Sequence, residues 1–293
     1  MSGPRIAVVT DSTSYLPRGW AADLGIGVVP VQVIVAGQPF DETDHDQAQR
    51  VAEALEAWRP VTTSRPSPTR FLQAYEAAAA AGAEEIVVAT LSASMSATFE
   101  SALLAAKEFD RPVRVVDSRS IAMGLGFAVV SGAEAARQGL GAERVAAIVE
   151  ERARAASVYF YVDTLEYLRR GGRVSSARAA VGHALQVKPL LTVDDGHVVR
   201  LEQVRTAGRA LSRLEELAVA AAEGSDVDVA VQHLGADARA GDLAERLRAR
   251  LPDVSVAECK VGGVVGAHVG PGMVSVVVAP KPDIGRASAH TGA

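Results

Sequence analysis

The sequence predicts a two-domain α/β protein: a parallel-sheet domain over residues 1–162, a mixed-sheet α/β domain over 163–282 and a flexible tail over 283–293. Three observations predict it. The first half repeats a short β-branched run, a turn rich in Ser, Asp or Gly, and a segment with apolar residues three and four apart, which is the pattern of strands and helices alternating around a parallel sheet. Near Asp163 that alternation ends, and two apolar runs flank Asp194, Asp195 and Gly196 at the spacing of an antiparallel hairpin. At 293 residues the chain also exceeds what one hydrophobic core commonly holds.

The strands expected in the first half are 6–10, 28–35, 86–91, 113–116 and 158–162, because each is a β-branched run closed by a turn residue. Helices are expected at 46–58, 69–81, 97–109 and as a pair within 121–156. Ser67 followed by Pro68 reads as an N-cap with proline at the first helical position, and Gly82 suits the stop after the alanine run. Beyond Asp163 a short helix through Leu168 stops at Gly171 and Gly172, and another from Ser176 ends before Pro189. The hairpin pairs 190–193 with 197–204. Helices at 207–222 and 239–251 enclose a strand at 227–233, and strands at 254–261 and 273–278 close the fold. The segment 286–293 is small and polar, with nothing to pack.

Hydrophobic residues at 48% and charged residues at 22% match an ordinary globular chain, so it folds. A formal charge of −5, with no Lys/Arg run longer than Arg169-Arg170, gives no general attraction to phosphate backbones and argues against nucleic acid as a partner. A single cysteine, Cys259, forms no internal disulfide, and an apolar strand opening at Ile6 leaves no room for a signal peptide, so a cytoplasmic protein is expected. The longest apolar run, 121–136, is broken by glycines, Ser131 and Glu134 and is too short to span a bilayer.

Ligands of parallel sheets bind at the carboxyl ends of the strands, where three expected strands end in Thr10-Asp11-Ser12, Leu91-Ser92 and Asp117-Ser118. The segment from Ser92 to Thr98 runs into a helix, so its hydroxyls and free N–H groups suit an anionic oxygen; Ser94 or Ser96 as a simple N-cap accounts for the same residues. Thr62-Thr63-Ser64-Arg65, stiffened by Pro66 and Pro68, reads either as a ligand-positioning loop or as a turn with a cap. Ser96 lies in no Gly-x-Ser-x-Gly elbow, which argues against seryl hydrolysis. The histidines at 45, 183, 197, 233, 268 and 290 show no metal-ligand spacing, so no metal and no cofactor is expected. The stretch 262–272 is dense in glycine but is expected between two strands, as a turn that lets backbone pass close to a neighbour, with a ligand role for His268 as the alternative. Arg173 and Arg205 stand in polar loops, as ligand counter-ions or as solvated charges.

These segments together resemble the DegV family of bacterial fatty acid-binding proteins. The resemblance rests on Val9-Thr10-Asp11-Ser12, Thr63-Ser64-Arg65-Pro66-Ser67, Ser92-Ala93-Ser94-Met95-Ser96-Ala97-Thr98-Phe99, Val116-Asp117-Ser118, Leu165 to Arg173, Lys188-Pro189, Val204-Arg205-Thr206 and Gly266 to Gly272, in order along nearly the whole chain. Arg65 stands where the family usually has Gln, and Ala97 where it has Gly. The resemblance implies a Rossmann-like first domain of the DegV/EDD type, a mixed second domain and a lipid tunnel between them. It implies that Thr63 and Ser96 hold the carboxylate of a long-chain fatty acid, with Arg205 and His268 near the tunnel mouth. It further implies a non-enzymatic carrier that presents the acid to a separate fatty acid kinase for acyl-phosphate formation, and that meets membranes at most transiently. The competing reading is a stand-alone enzyme acting on a small phosphorylated or carboxylated metabolite, for which Asp11, Asp117 and His268 are the candidate groups.

Overall fold

The computed structural model describes residues 5–42, 46–174 and 187–284. The helix expected from Ser176, most of the tail, and His45, His183 and His290 lie outside them. The first half runs β1 (Ile6–Asp11), a 3-10 turn (Ser12–Ser14), α1 (Trp20–Leu24), β2 (Gly27–Val29), β3 (Gln32–Val35), β4 (Gln38–Asp41), α2 (Asp46–Glu56), β5 (Val61–Ser64), α3 (Pro68–Ala80), β6 (Glu85–Thr90), α4 (Thr98–Glu108), β7 (Val113–Asp117), α5 (Met123–Arg137) and α6 (Ala142–Ala155). It continues with β8 (Ser157–Tyr161), α7 (Glu166–Arg170), β9 (Lys188–Asp194), β10 (His197–Val204), α8 (Ala207–Ala222), β11 (Val227–His233), α9 (Asp237–Arg250), β12 (Val256–Lys260), α10 (Gly263–Val269) and β13 (Val274–Pro280).

The class is the expected one, a mixed α/β fold with one all-parallel sheet and one mixed sheet. The parallel sheet has the order β2-β1-β6-β7, and the six-stranded sheet has the order β10-β9-β8-β13-β11-β12, parallel only between β11 and β12. The hairpin turns on Asp195 and Gly196 at φ 44° and 81°, the left-handed pair that a two-residue hairpin loop of matching twist requires. Ser67 and Pro68 open α3 as expected.

Four expectations need correction. The run 28–35 is two strands in two sheets: Pro30 has no N–H to continue a ladder, and beyond it the Val31 N–H turns to the Ser12 hydroxyl at 3.0 Å. Its second part, β3, joins a small antiparallel sheet β4-β3-β5, so the Thr62-Thr63-Ser64 segment read as a loop is strand β5. The strand expected at the end of the parallel sheet is β8, which pairs antiparallel with β13 and β9 in the six-stranded sheet; an apolar strand pattern shows burial on both faces but not the partner. The glycine-dense stretch after β12 opens a helix, α10, whose valines and Ala267 turn into the core.

The apolar run 121–136 is a core helix. Twelve residues of α5 are buried, since it lies between the two large sheets, and a helix apolar all round has to be covered all round. Leu125, Ala128 and Val129 belong to one apolar cluster with Val8 and Val87, whereas Met123 and Phe127 pack with Val158, Ala230 and Val277 of the six-stranded sheet. Among the described residues no helix is long and apolar enough to cross a membrane.

Candidate functional site

A pocket enclosing about 850 Å³ of space, part of it open to solvent, lies where β5, the segment after β6, α10 and the six-stranded sheet converge. Its interior is apolar: Leu91, Met95, Ile121, Phe160, Val198 and Val265 are among its walls. Its polar end carries Thr63, Ser64, Arg65, Ser96, Arg173 and His268.

Each polar group is brought there by a separate element. Thr63 sits on β5, held in register opposite Val33 of β3. Ser96 follows a turn in which the Met95 and Ser96 N–H groups both donate to the Ser92 carbonyl. That turn is fastened from outside: Asp11 accepts the Leu91 N–H at 2.7 Å, Asp117 accepts the Ala93 N–H at 3.0 Å, and the Ser92 hydroxyl donates to the Gly196 carbonyl at 2.8 Å. Asp11 also accepts from the Thr13 N–H and hydroxyl, and Asp117 from the Arg119 N–H. The two carboxylates named as candidate catalytic groups are thus engaged in holding loops, and neither lines the pocket.

The imidazole of His268, near the end of α10, lies 2.9 Å through Nε2 from the Thr63 hydroxyl. Its Nδ1 is buried with no hydrogen-bond partner among the described residues. Burial first, and then the Arg173 guanidinium nearby, push its pKa down to about 4, so the ring is neutral at physiological pH. Ser96 and Thr98 share a hydrogen bond of 2.8 Å between their hydroxyls. The Arg173 Nε donates to the Met95 carbonyl at 3.1 Å, and Arg65 approaches the Ala97 carbonyl at 3.5 Å, so two exposed guanidinium groups flank the hydroxyls. Sequence reasoning named Thr63, Ser96, His268 and Arg205; the first three meet at the pocket. Arg205 is exposed between β10 and the N-cap Thr206 of α8 and is not among the lining residues.

The polar end has a second side. Thr63, Arg173 and His268 also line a surface groove with Trp58, Arg59 and Arg170, and no acidic side chain among the described residues lines it. The Arg170 guanidinium stacks over the exposed Trp58 ring at 5.6 Å.

Behind α10 lies a group that sequence reasoning missed. Glu42, just past β4, is buried; it accepts hydrogen bonds from the Ser12 hydroxyl at 2.7 Å, the Tyr15 hydroxyl at 3.1 Å and the Val264 N–H at 2.8 Å. Next to Asp41 it reads as one more solvated acid, and only the hydroxyl-rich Ser12 segment hinted at a polar cluster here.

Comparison with known proteins gives a consistent result. Residues 5–281 match the model of a family described as uncharacterised protein, DegV family. A DegV domain-containing protein of Streptomyces coelicolor is 48% identical, over 94% of this chain and 99% of its own length. Among solved structures, a DegV family protein from Thermus thermophilus, described for its fatty acid binding, superposes with a TM-score of 0.88 at 32% identity, covering 94% of this chain and 99% of that one. DegV from Bacillus subtilis, a fatty acid binding protein, gives 0.86 at 32% identity, covering 95% of this chain and 100% of that one.

Proposed function

This chain belongs to the DegV family, and from that premise we propose that it binds one long-chain fatty acid, with the tail in the apolar pocket and the carboxylate on the hydroxyls of Thr63 and Ser96. The observation that carries the reading is that Thr63, Arg173 and His268 line both the apolar pocket and the basic surface groove. A carboxylate at that place is within reach from outside while its tail stays inside.

The proton arrangement follows from a neutral His268. A neutral imidazole carries one ring proton, and with that proton on Nε2 the N–H donates to the Thr63 oxygen and leaves the threonine hydroxyl hydrogen free for the carboxylate. With Thr98 as the donor of their shared hydrogen bond, Ser96 keeps its own hydroxyl hydrogen for the carboxylate. Arg65 and Arg173 offset the negative charge without entering the apolar part. Burial of a sixteen-carbon chain contributes on the order of 10 kcal/mol before ordering costs, at about 0.8 kcal/mol per methylene, so the tail supplies affinity and the clamp supplies orientation.

We further propose that the protein is a non-enzymatic carrier that presents the acid to a fatty acid kinase, whose phosphoryl group reaches the carboxylate through the groove. Organic extraction of the purified protein followed by mass spectrometry is the test. Long-chain fatty acids at near one per chain are expected; protein that carries none and takes up none when offered would overturn the reading. So would ATP or ester hydrolysis by the isolated chain that survives repeated purification. Arg205→Ala is expected to leave lipid retention unchanged, because the residue lies outside the pocket; a loss of acyl transfer in that variant would place Arg205 on the surface that meets the kinase.

A further inference from the structure

We infer that Glu42 is a positioning residue of the carboxylate clamp: it holds the amino end of α10 so that His268 stands over Thr63, and ionisation of its carboxyl tightens that hold. This rests on the fatty acid-binding reading and names a residue outside the pocket that controls it. Three observations carry it. The first N–H groups of a helix lack intrahelical partners, and in α10 two of them are taken by side chains from the first half of the protein: Val264 N–H by Glu42 at 2.8 Å and Val265 N–H by the Tyr15 hydroxyl at 3.1 Å. Tyr15 in turn donates to the same Glu42 oxygen, so the carboxylate is the hub of both contacts.

Second, the backbone is shaped for this contact. A Cβ on Gly262, the residue before α10, would lie 2.2 Å from Glu42 Oε1 and 2.6 Å from the Tyr15 ring, so only glycine lets the chain pass the carboxylate there. Tyr15 itself holds a left-handed φ of 45°, which a tyrosine adopts only when its surroundings fix it. Third, α10 is one short helix of seven residues: Val264 and Val265 at its start and His268 near its end all line the pocket. What moves its amino end moves the imidazole.

Among the described residues, the titratable groups facing Glu42 are Asp11, at the end of β1, and Tyr15; α10 faces it with backbone N–H groups, and Ser12 with a hydroxyl. Burial raises its pKa to about 7, well above the ordinary carboxyl range, and Asp11 adds to the rise. Hydrogen bonds to a charged oxygen are roughly twice as strong as those to a neutral one, so the grip on Val264 slackens as the carboxyl takes up its proton. His268, held near 4, does not titrate in the same window.

The test measures release of the fluorescent fatty acid cis-parinaric acid from the full chain at about pH 6 and about pH 8, alongside urea stability. The wild type is expected to release the probe on the order of fivefold faster at the lower pH, from a difference of about 1 kcal/mol in one charge-assisted bond. Glu42→Gln, which keeps the shape and removes the charge, should release fast at both. Tyr15→Phe loses the second contact and should release faster throughout with the pH response kept, which provides a second reading should the glutamine variant not fold. Release slows with rising pH while urea stability falls, and a merely structural role would move both the same way. A wild-type rate independent of pH, or a glutamine variant with the wild-type profile, overturns the inference and leaves fatty acid binding intact; failure of the wild type to take up the probe overturns both.

Discussion

At the scale of single residues, the site depends on hydroxyl groups whose partners fix their direction. On the proposed clamp, Thr63→Ala combined with Ser96→Ala would remove two donors to a carboxylate, each worth about 1.5 to 3 kcal/mol, and is expected to weaken fatty acid binding at least about tenfold while the protein stays folded, as titration calorimetry and circular dichroism would show. Undiminished affinity in the double variant would rule out the clamp. Glu42 makes a prediction of a different kind. Its folded pKa of about 7 lies above that of an unfolded glutamate, so between the two the native chain holds a proton that the unfolded chain has released. Stability is therefore full below the ordinary carboxyl range and falls as pH rises toward about 7, by about 3 kcal/mol for a shift of this size. Asp11, fully buried and shifted upward by burial, acts in the same direction. Urea denaturation from about pH 5 to about pH 8 checks this, and the fall should flatten in Glu42→Gln. Thr63 and Ser96 were singled out by the family resemblance and not by their chemistry alone, because a hydroxyl before a helix serves equally well as a cap. Glu42 was not, because an acid's burial depends on chain that arrives more than two hundred positions later, at Val264.

At the scale of elements, the hairpin of β9 and β10 was readable, with β10 as expected and β9 longer at both ends, because its turn chemistry is local: Asp-Gly suits two left-handed residues. What could not be read is where the tip goes. It presses on the serine turn, with the Gly196 carbonyl accepting from Ser92 and Asp195 paired with Arg119, so an element of the second half steadies the segment that presents Ser96. A methyl group on Gly196 would approach the Ser92 oxygen at 2.5 Å and would also face a φ of 81°. Gly196→Ala is expected to cost about 1–3 kcal/mol in chemical denaturation and to weaken lipid retention with it. Retention unchanged in a destabilised variant would show that the hairpin does not support the clamp. The elements read wrongly share one cause. β3, β5, β8 and α10 are placed by partners far along the chain, and periodicity reports which faces are buried but not what buries them.

At the scale of the whole molecule, the two halves are joined by more than the chain. Arg152 of α6 is almost wholly buried; it donates to the Phe127 carbonyl at 3.0 Å on α5 and pairs with Asp228 on β11, tying the helices of the first half to the second sheet. Arg152→Ala leaves a partly buried carboxylate uncompensated and should lower unfolding free energy by about 3 kcal/mol, measured by urea titration. A fall of less than about 1 kcal/mol would mean that Asp228 is served by solvent and Lys281 instead. α5 itself sets how the two halves can move. With Leu125 and Val129 on one side and Met123 and Phe127 on the other, it belongs to both cores at once. A clamshell opening that parts the sheets would strip one face of this helix into water, at about 1.5–3 kcal/mol for each large side chain exposed. On the proposed function, a lipid tail then has to enter and leave without parting the sheets, because the helix shared by both cores holds them together.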